Sequence, residues 1–506
     1  GVDLKRALSG KIKPANTQKR HMERMPSHMG LGRTVDVLDE SMHPTHIIWR
    51  LAWPTVLEQL LIMIVQYVDT AMVGAIGPNA TAAVALTSST NWLMNGIIGG
   101  AAVGFSVPIG NFIGAKLYDK ARDVVRQSVI AIFIIGAVLT GIMLAVAPHL
   151  PHWLGGDPEI CADATSYISI VCLAYIASTS IQICSSILRC TGDTATPLIF
   201  NVSTNLINMV LNFLLIYAPR DISVLGITFR MWGAGLGVSG AAIATAIANV
   251  VSGVMLLRAM FLNKFPCNIS MRDKFRFDKA IWADMVRVGT PVTFDRVCVS
   301  LGQILMTAMV TSLGTASLAA HSLGITAESI TYMPGFGFSA AATTLVAQSL
   351  GAGRKDLAKR FSNICIIGCV IMMSALGVVL FFFGGSIISL FTPSAEVVAL
   401  GAAALKVEAL AQPFFALANS IAGSFRGARK TKWLFLFGLL GMWLVRLPIC
   451  FIMTHYTTLG LTGAWIGMAG DLTVRGLVSL IVYRTGHWLE VPMNIAYVKP
   501  KEGGEE

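Results

Sequence analysis

The sequence predicts an all-α polytopic membrane protein with twelve transmembrane helices, arranged as two pseudo-symmetric bundles of six. The first observation is composition. The 506 residues are 54% hydrophobic and only 13% charged, whereas a soluble domain carries about 25% Asp, Glu, Lys and Arg. The second is a series of apolar stretches of spanning length. The third is an internal repeat that matches the first half of the chain to the second.

Each predicted span contains roughly 20 or more mostly apolar residues, the length needed to cross the hydrocarbon core. Gly, Ala, Ser and Thr are frequent in these spans and allow close contact between helices in lipid. The predicted limits are 51–76, 84–113, 125–147, 161–188, 198–218, 234–261, 284–313, 319–349, 362–391, 397–425, 433–454 and 460–483.

Basic residues alternate between the two sides of this predicted bundle. The connections after the second and eighth spans carry Lys116, Lys120, Arg354 and Lys355, whereas the connection 311–317 after the seventh span carries no Lys or Arg. By the positive-inside rule, both termini and the central loop are predicted to be cytoplasmic. The net charge of +11 therefore indicates membrane orientation and not a nucleic-acid partner. We call the side of the basic connections the basic side.

The repeat appears when the sequence is compared with itself at an offset of 237 residues. The identical pairs include Pro54 with Pro291, Gln66 with Gln303, Gly100 with Gly337, Gly114 with Gly351 and Arg189 with Arg426. Unrelated apolar helices would not keep one offset over such a distance. Two halves of the same topology predict a pore or a cleft between them, which suits alternating access. A channel is also built from repeats, so the architecture alone leaves both open.

The repeat and the spans together divide the chain into five predicted segments. Residues 1–45 lack an apolar core of the kind found in signal peptides, so we expect no cleaved signal. The segments are a disordered basic tail (1–45), an N-lobe with spans 1 to 6 (46–262), a cytoplasmic linker (263–283), a C-lobe with spans 7 to 12 (284–485) and a C-terminal tail (486–506).

Two carboxylates lie on the first span. Glu58 and Asp69 are eleven residues apart, which places them on one helix face, roughly 16 Å apart along the axis, with Gln66 on the same face. An ionisable residue at membrane depth costs at least about 2.5 kcal/mol and indicates a functional site. The alternative is a hydrogen-bonded carboxylate that joins neighbouring helices. Both roles stay open for Glu58, which lies nearer the cytoplasmic end.

The fifth span carries a stripe of amides. Asn201, Asn205, Asn208 and Asn212 follow spacings of 4, 3 and 4, so all four share one helix face. Amide oxygens together with a carboxylate would hold Na⁺ or solvate a proton-carrying acid, and amides also join helices by hydrogen bonds. We expect helix contacts for the first two. For the deeper pair both roles stay open.

The second half has polar residues at other depths. Asp69 lies over Met306 in the repeat, so the main carboxylate has no equivalent there. The secondary polar positions are Asp295 over Glu58, Gln303 over Gln66, Glu328 in the eighth span, and Glu408 with Gln412 in the tenth. Each is a candidate for the substrate cleft or for a second ion site.

Several arginines also lie within the spans. Asp471 and Arg475, at i and i+4, predict a structural ion pair. Arg189 and Arg426 lie at the ends of matched spans, where a helix-terminal or phosphate-facing role is expected. Arg296 follows Asp295 directly, and we expect its side chain to snorkel to the inner interface.

The sequence contains none of the enzyme signatures that would compete with transport. HExxH, GxSxG and GxxxxGK[ST] are all missing from it. Without a nucleotide-binding loop, transport energy has to come from an ion gradient. Movement of H⁺ or Na⁺ then needs a membrane-buried carboxylate, which Asp69 supplies.

Several motifs together resemble the multidrug and toxic compound extrusion (MATE) transporters. They are PTVLEQ and VDTAMVGAIGP in the first span, LRCTGDTATP, LGTASLAAHSLG, MPGFGF and QSLGAG, and the similarity covers about residues 46–488. The resemblance implies a V-shaped arrangement of two six-helix lobes. It also implies an antiporter that exports mostly cationic, amphipathic organic compounds in exchange for H⁺ or Na⁺.

The resemblance also implies site residues. The acid of the VDT motif, Asp69, corresponds to the family's N-lobe cation or proton site. Asn208, Thr245 and Tyr167 correspond to residues that join it, and a Na⁺ would bind at Asp69, Asn208 and Thr245. Where some prokaryotic relatives carry a second Asp, this chain has Asn212.

Other branches of the family carry a Glu deep in the seventh span. This chain has Val299 there, with Asp295 one turn nearer the cytoplasm. Glu328 and Glu408 remain the candidates for a C-lobe cation site.

These observations favour a secondary active antiporter that works by alternating access. We expect a monomeric, multi-pass protein of the plasma membrane that binds small molecules and lipid, needs no cofactor beyond its coupling ion, and is not an enzyme. The alternatives are a lipid-linked precursor flippase of the same superfamily, with Arg189 and Arg426 reading phosphates, and a metabolite exporter. An intramembrane enzyme would need a nucleophile or metal constellation that the sequence lacks.

Overall fold

The computed structural model describes residues 35–38, 42–153, 158–224, 227–262, 269–270 and 276–490. Most of the two predicted tails and of the linker lies outside these ranges. The helix of the seventh span begins at Lys279, inside the predicted linker.

The described residues form twelve spans, numbered here α1 to α12. Those of the first half are α1 (Pro44–Gly74), α2 (Pro78–Gly114), α3 (Tyr118–Val146), α4a (Pro158–Leu173), α4b (Tyr175–Cys190), α5 (Ala195–Leu215) and α6 (Gly237–Leu262). Those of the second half are α7 (Lys279–Thr311), α8 (Thr315–Gly351), α9 (Lys355–Ser389), α10 (Ala395–Gly427), α11a (Lys432–Leu439), α11b (Leu447–Tyr456) and α12 (Gly460–Arg484). A π-helical segment, Leu440–Arg446, joins the two parts of α11.

The helix lengths follow from the membrane. Within the described ranges, nine helices are long and apolar enough to cross it, and α4a with α4b, bent by 51°, makes a tenth. The helices α7 and α8 are as long as the others but more polar, and they complete the twelve. Because backbone groups in lipid have to be satisfied within each segment, apolar runs of this length form helices. The predicted all-α fold of twelve spans is confirmed.

A short antiparallel hairpin was not predicted. Strands β1 (Arg220–Val224) and β2 (Ile227–Met231) lie between α5 and α6, with Arg220 opposite Met231 and Val224 opposite Ile227. The β-branched ISV and ITF runs favour strands. The hairpin lies outside the apolar spans, so it leaves the helical architecture unchanged.

The two lobes meet through glycines that are equivalent in the repeat. A Cβ on Gly337 would lie 2.7 Å from the backbone nitrogen of Val56, and a Cβ on Gly100 would lie 3.0 Å from the carbonyl oxygen of Gly289 and 2.0 Å from the hydroxyl of Thr293. Val56 and Thr293 are themselves repeat equivalents. Helix α1 therefore packs on α8 as α2 packs on α7, about a pseudo-twofold axis. Small residues allow this close approach.

A second contact of this kind lies at the basic side. A Cβ on Gly114 would lie 1.9 Å from the carbonyl oxygen of Gln348, and a Cβ on Gly351 would lie 2.0 Å from that of Asn111. The Asn111 amide donates to the carbonyl of Ala347 at 2.8 Å. We call Asn111, Gly114, Gln348 and Gly351 the basic crossing. Here the ends of α2 and α8 touch backbone to backbone and close the space between the lobes.

Residues 35–38 also lie on the basic side and contact both lobes. The backbone nitrogen of Val35 donates to the carbonyl of Gly192, between α4b and α5, at 3.2 Å. Val37 is buried in a hydrophobic cluster that includes Phe338 and Leu345 of α8. This part of the predicted tail is packed.

The lobe contacts differ farther from the basic side. The Tyr67 hydroxyl on α1 donates to the carbonyl of Thr326 at 2.5 Å and lies 2.6 Å from the Ser329 hydroxyl on α8. The repeat equivalents of Tyr67 and Ser329 are Ile304 and Trp92, which are 41% and 54% exposed. At this level α1 and α8 are joined by hydrogen bonds, whereas the equivalent residues of α2 and α7 are exposed. The cleft between the lobes opens away from the basic crossing.

Candidate ion-coupling site

The structure brings Asp69 of α1 together with the amides of α5. The Asn212 amide nitrogen donates to a carboxylate oxygen of Asp69 at 2.8 Å and lies 2.9 Å from the Asn208 amide oxygen. The Asn208 amide nitrogen lies 3.0 Å from the hydroxyl of Thr245 on α6. Three helices therefore supply one chain of hydrogen-bonding groups that ends at a single carboxylate.

Burial differs along this chain of groups. Asn208 and Asn212 are 6% and 1% exposed, because both lie on the inward face of α5. Asp69 is only half-buried. The Asn212 amide oxygen is buried and has no hydrogen-bond partner among the described residues. The site therefore keeps an unsatisfied buried oxygen beside a carboxylate that water can reach, a combination suited to a cation.

The Asn208 amide allows two hydrogen-bond patterns. Its oxygen lies 3.0 and 3.1 Å from the two carboxylate oxygens of Asp69, so a protonated Asp69 would donate to it. Turning the amide by half a turn points its nitrogen at the carboxylate and its oxygen at the Thr245 hydroxyl, at the cost of the bond from Asn212. That second pattern suits an ionised Asp69. The second pattern satisfies both the nitrogen and the oxygen of the amide.

No group of three or more His, Cys, Asp or Glu side chains suited to a metal occurs in the part of the chain that the structure describes. The oxygens that the sequence predicts for Na⁺, those of Asp69, Asn208 and Thr245, lie along one chain of hydrogen-bonding groups. Such neutral oxygens and one carboxylate are the ligands of hard cations.

Tyr167 lies near this site but does not join its hydrogen bonds. Its ring packs in the hydrophobic cluster of Val73, Ala80 and Ile216. Among the described residues its hydroxyl donates to no carboxylate. Its ring therefore forms part of the wall beside the site.

Glu58 belongs to a separate cluster. It is buried and accepts from the Arg189 guanidinium at 3.0 and 3.1 Å and from the Asn201 amide. These contacts join α1, α4b and α5 near the basic side. Joining helices is one of the two roles that the sequence left open for Glu58. Gln66 is exposed on the same helix.

The C-lobe holds a buried carboxyl pair. Glu328 of α8 and Glu408 of α10 are both buried, and Gln412 lies one turn after Glu408. Within the described part of the chain, neither carboxylate oxygen of Glu408 and neither polar atom of the Gln412 amide has a hydrogen-bond partner. A buried carboxyl without a partner is neutral or binds a cation. The predicted C-lobe candidates therefore do come together.

A buried ion-pair network occupies α11 and α12. Asp471 accepts from Arg475 at 2.7 Å, as the i and i+4 spacing predicts, and also from Arg446 of the π-helical segment at 2.8 Å. Arg446 in turn donates to the Gln303 amide oxygen at 3.2 Å. Gln303 therefore also contacts α11.

Removing the Asp471 carboxylate should destabilise the protein strongly. The Asp471→Ala variant leaves Arg446 and Arg475 without their shared anion, and breaking a buried pair costs about 3–5 kcal/mol. Unfolding of the purified variant in detergent measures the loss. The control is Asp356→Ala, whose surface pair with Arg354 is worth at most about 1 kcal/mol. Equal stability of the two variants would contradict the structural role.

Asp295 does not repeat the pairing of Glu58. Its carboxylate faces α11a, where a Cβ on Gly438 would lie 2.0 Å from a carboxylate oxygen. Arg426, the repeat equivalent of Arg189, donates instead to the Ser339 hydroxyl at 2.6 Å. The shorter Asp side chain and the glycine at 438 change the geometry of the second half.

Comparison with known proteins decides the family. The model of the MatE family matches residues 54–214 and 291–452, most of both lobes. The chain belongs to the MatE family. It is therefore a multi-pass membrane transporter, as its resemblance to MATE proteins implied. Each lobe carries one copy of the family's repeat, in agreement with the offset found in the sequence.

Relatives of this MATE transporter cover almost the whole chain. It is similar to the probable multidrug resistance protein NorM of Thermotoga maritima, with 28% identity over 87% of this chain and 92% of that protein. It is also similar to the uncharacterized transporter YisQ of Bacillus subtilis, with 23% identity over 89% of this chain and 96% of that protein.

Solved structures share the fold. An outward-facing conformation of a multidrug resistance MATE family transporter superposes with a TM-score of 0.81 at 23% identity, over 90% of this chain and 97% of that one. A transporter of the MOP superfamily from Pyrococcus furiosus superposes with a TM-score of 0.82 at 22% identity, over 90% of this chain and 99% of that one.

Sequence reasoning missed two parts of this MATE transporter. One is the basic crossing. Gly114 and Gly351 match in the repeat, and residues related by a twofold axis contact each other when they lie close to that axis. The other is Tyr67, two residues from Asp69, which reaches the opposite lobe. Nothing in the apolar pattern indicates that contact.

Proposed function

We propose that the protein is a secondary antiporter that exports amphipathic organic compounds in exchange for H⁺ or Na⁺, with Asp69 as the coupling acid. The observation that carries this proposal is the hydrogen-bonded chain from Asp69 through Asn212 and Asn208 to Thr245. It links one reachable carboxylate to two amides and a hydroxyl on two other helices. The name of the Thermotoga relative, a multidrug resistance protein, supports efflux of foreign compounds as the transport task.

The coupling step would pass through α1. Asp69 binds its ion two residues from Tyr67, whose hydroxyl contacts Thr326 and Ser329 of the C-lobe. A change in how Asp69 packs on α5 therefore shifts the residue that joins α1 to α8. The lobes then rock about the glycine contacts on α2 and α8, which is the motion expected of paired repeats. Ion binding thereby favours one arrangement of the lobes.

The polar residues of the C-lobe would play secondary parts. Among the described residues Glu328 and Glu408 form no ion pair, which supports a second proton-binding position. Glu58, Gln303 and Asp295 contact other helices and serve the packing of the lobes. We retain a cationic, amphipathic compound as the substrate class, with the monomer as the transporting unit.

A gradient experiment tests the antiport. The purified full-length chain is reconstituted in liposomes with rhodamine 123, a permanent organic cation, and the H⁺ and Na⁺ gradients are imposed separately. Rhodamine 123 should move in the direction opposite to one of the two ions. Its movement should stop when the gradient of that ion is collapsed by an ionophore. Movement that ignores both gradients would overturn the antiport. Lack of any movement above empty liposomes would overturn this substrate class.

A further inference from the structure

Arg296 lies at the centre of the lobe interface. A Cβ on Gly96, halfway along α2, would lie 2.8 Å from the Cβ of Arg296, and the Arg296 guanidinium lies over the Phe336 ring of α8, 5.8 Å from its centre. The side chain is partly exposed. The guanidinium therefore contacts α8, and the prediction that it snorkels to the inner interface stays a prediction.

Among the described residues the Arg296 guanidinium forms no hydrogen bond and no ion pair, and it lies over the face of the Phe336 ring. An unpaired arginine inside a membrane protein is costly and indicates a function. A cation–π contact offsets only part of that cost.

A second arginine lies beside it. The Arg426 guanidinium donates to the Ser339 hydroxyl at 2.6 Å, and Ser339 follows Phe336 by three residues on α8. The two guanidinium groups therefore contact residues that lie one turn apart on α8, about 5 Å along its axis. Asp295 acts electrostatically on both Arg296 and Arg426. One carboxylate facing these two arginines leaves positive charge unmatched, since Asp471 is already paired with Arg446 and Arg475.

The N-lobe treats its matching arginine differently. Arg189 is neutralised by Glu58 at 3.0 Å, whereas the C-lobe equivalents, Arg426 and Asp295, do not pair. The positive charge is thus confined to the C-lobe wall, while Asp69 lies in the N-lobe. Aromatic rings continue that wall: Tyr332 lies 5.6 Å from Phe336 and 6.1 Å from Phe415.

We propose that Arg296 and Arg426 form a subsite for the anionic group of the exported compound. The substrate class is then an aromatic amphiphile that carries a carboxylate, and zwitterions suit the cleft better than simple cations. Guanidinium groups bind carboxylates through paired, charge-assisted hydrogen bonds, and the rings of α8 and α10 would pack on the aromatic part. This inference rests on the proposed export function and specifies its substrate.

A matched pair of dyes tests the subsite. Rhodamine 110 carries a free carboxylate, and rhodamine 123 is its methyl ester. Binding of each dye to the purified full-length protein is measured by fluorescence anisotropy for wild type, Arg296→Gln and Arg296→Lys. We expect Arg296→Gln to weaken rhodamine 110 binding about tenfold and rhodamine 123 binding less than twofold. Arg296→Lys, which keeps the charge, should retain part of the affinity for rhodamine 110.

The control is Arg287→Gln, an exposed arginine on the same helix, which should change neither affinity. Thermal unfolding of each variant checks that Arg296→Gln still folds. Wild-type protein that does not distinguish the two dyes, or an equal loss of both in Arg296→Gln, would overturn the subsite. Such a result leaves the antiport itself standing, because that is judged by gradient-driven movement of rhodamine 123. Selective binding without gradient-driven transport would contradict the antiport alone.

Discussion

Replacing Asp69 with asparagine is expected to abolish ion-driven export and leave the protein folded. Asparagine has nearly the shape of the acid, and its amide can donate to the Asn208 oxygen at the place where a protonated carboxyl would. The variant therefore mimics the ion-bound state permanently. Since it cannot release or exchange an ion, the gradient no longer drives the lobes from one arrangement to the other.

The measurement compares rhodamine 123 movement in liposomes that contain wild type or Asp69→Asn, with H⁺ and Na⁺ gradients imposed in turn. The variant should transport no faster than empty liposomes under either gradient, while its unfolding temperature and its dye binding stay close to wild type. The matched control is Asp119→Asn, whose side chain is 97% exposed at the start of α3, and it should transport normally. Wild-type rates in Asp69→Asn would refute coupling through this acid.

Membrane physics explains why the spans were predictable from the sequence. In lipid each backbone polar group has to be satisfied within its own segment, so an apolar run of about 20 residues has one stable structure. The repeat then predicted that the two halves have the same topology, because Gly114 is separated from Gly351 by the same offset as Pro54 from Pro291. The hairpin between α5 and α6 escaped prediction because its short strands lie among polar connections, where no such constraint acts.

The candidate site was predictable only in part. Helical spacing placed Asn208 and Asn212 on one face of α5, and burial cost indicated Asp69, but the contact between α1 and α5 depends on how each helix is rotated about its axis. No single-sequence pattern determines that rotation. The same limit applies to Arg296, whose environment is set by Gly96 on α2 and Phe336 on α8, two helices distant in sequence.

The second large effect is expected at the basic crossing. The Gly351→Ala variant would place a Cβ 2.0 Å from the carbonyl oxygen of Asn111, far inside van der Waals contact. Since the neighbouring atom is backbone, neither a rotamer change nor a small shift relieves the clash. The ends of α2 and α8 have to move apart, so the closed arrangement of the basic side should lose population. Transport should fall strongly, because alternating access needs both arrangements.

Cys190 reports that opening directly. It is buried beside the crossing, where its carbonyl accepts from the Gln348 amide at 2.8 Å. With Cys190 as the single cysteine, a water-soluble maleimide should label Gly351→Ala several-fold faster than wild type, and Gly114→Ala should behave alike because the repeat relates the two positions. Gly141→Ala is the control, since a Cβ there meets nothing within 4 Å. Slow labelling and normal transport in both crossing variants would show that closure of the basic side does not depend on this contact.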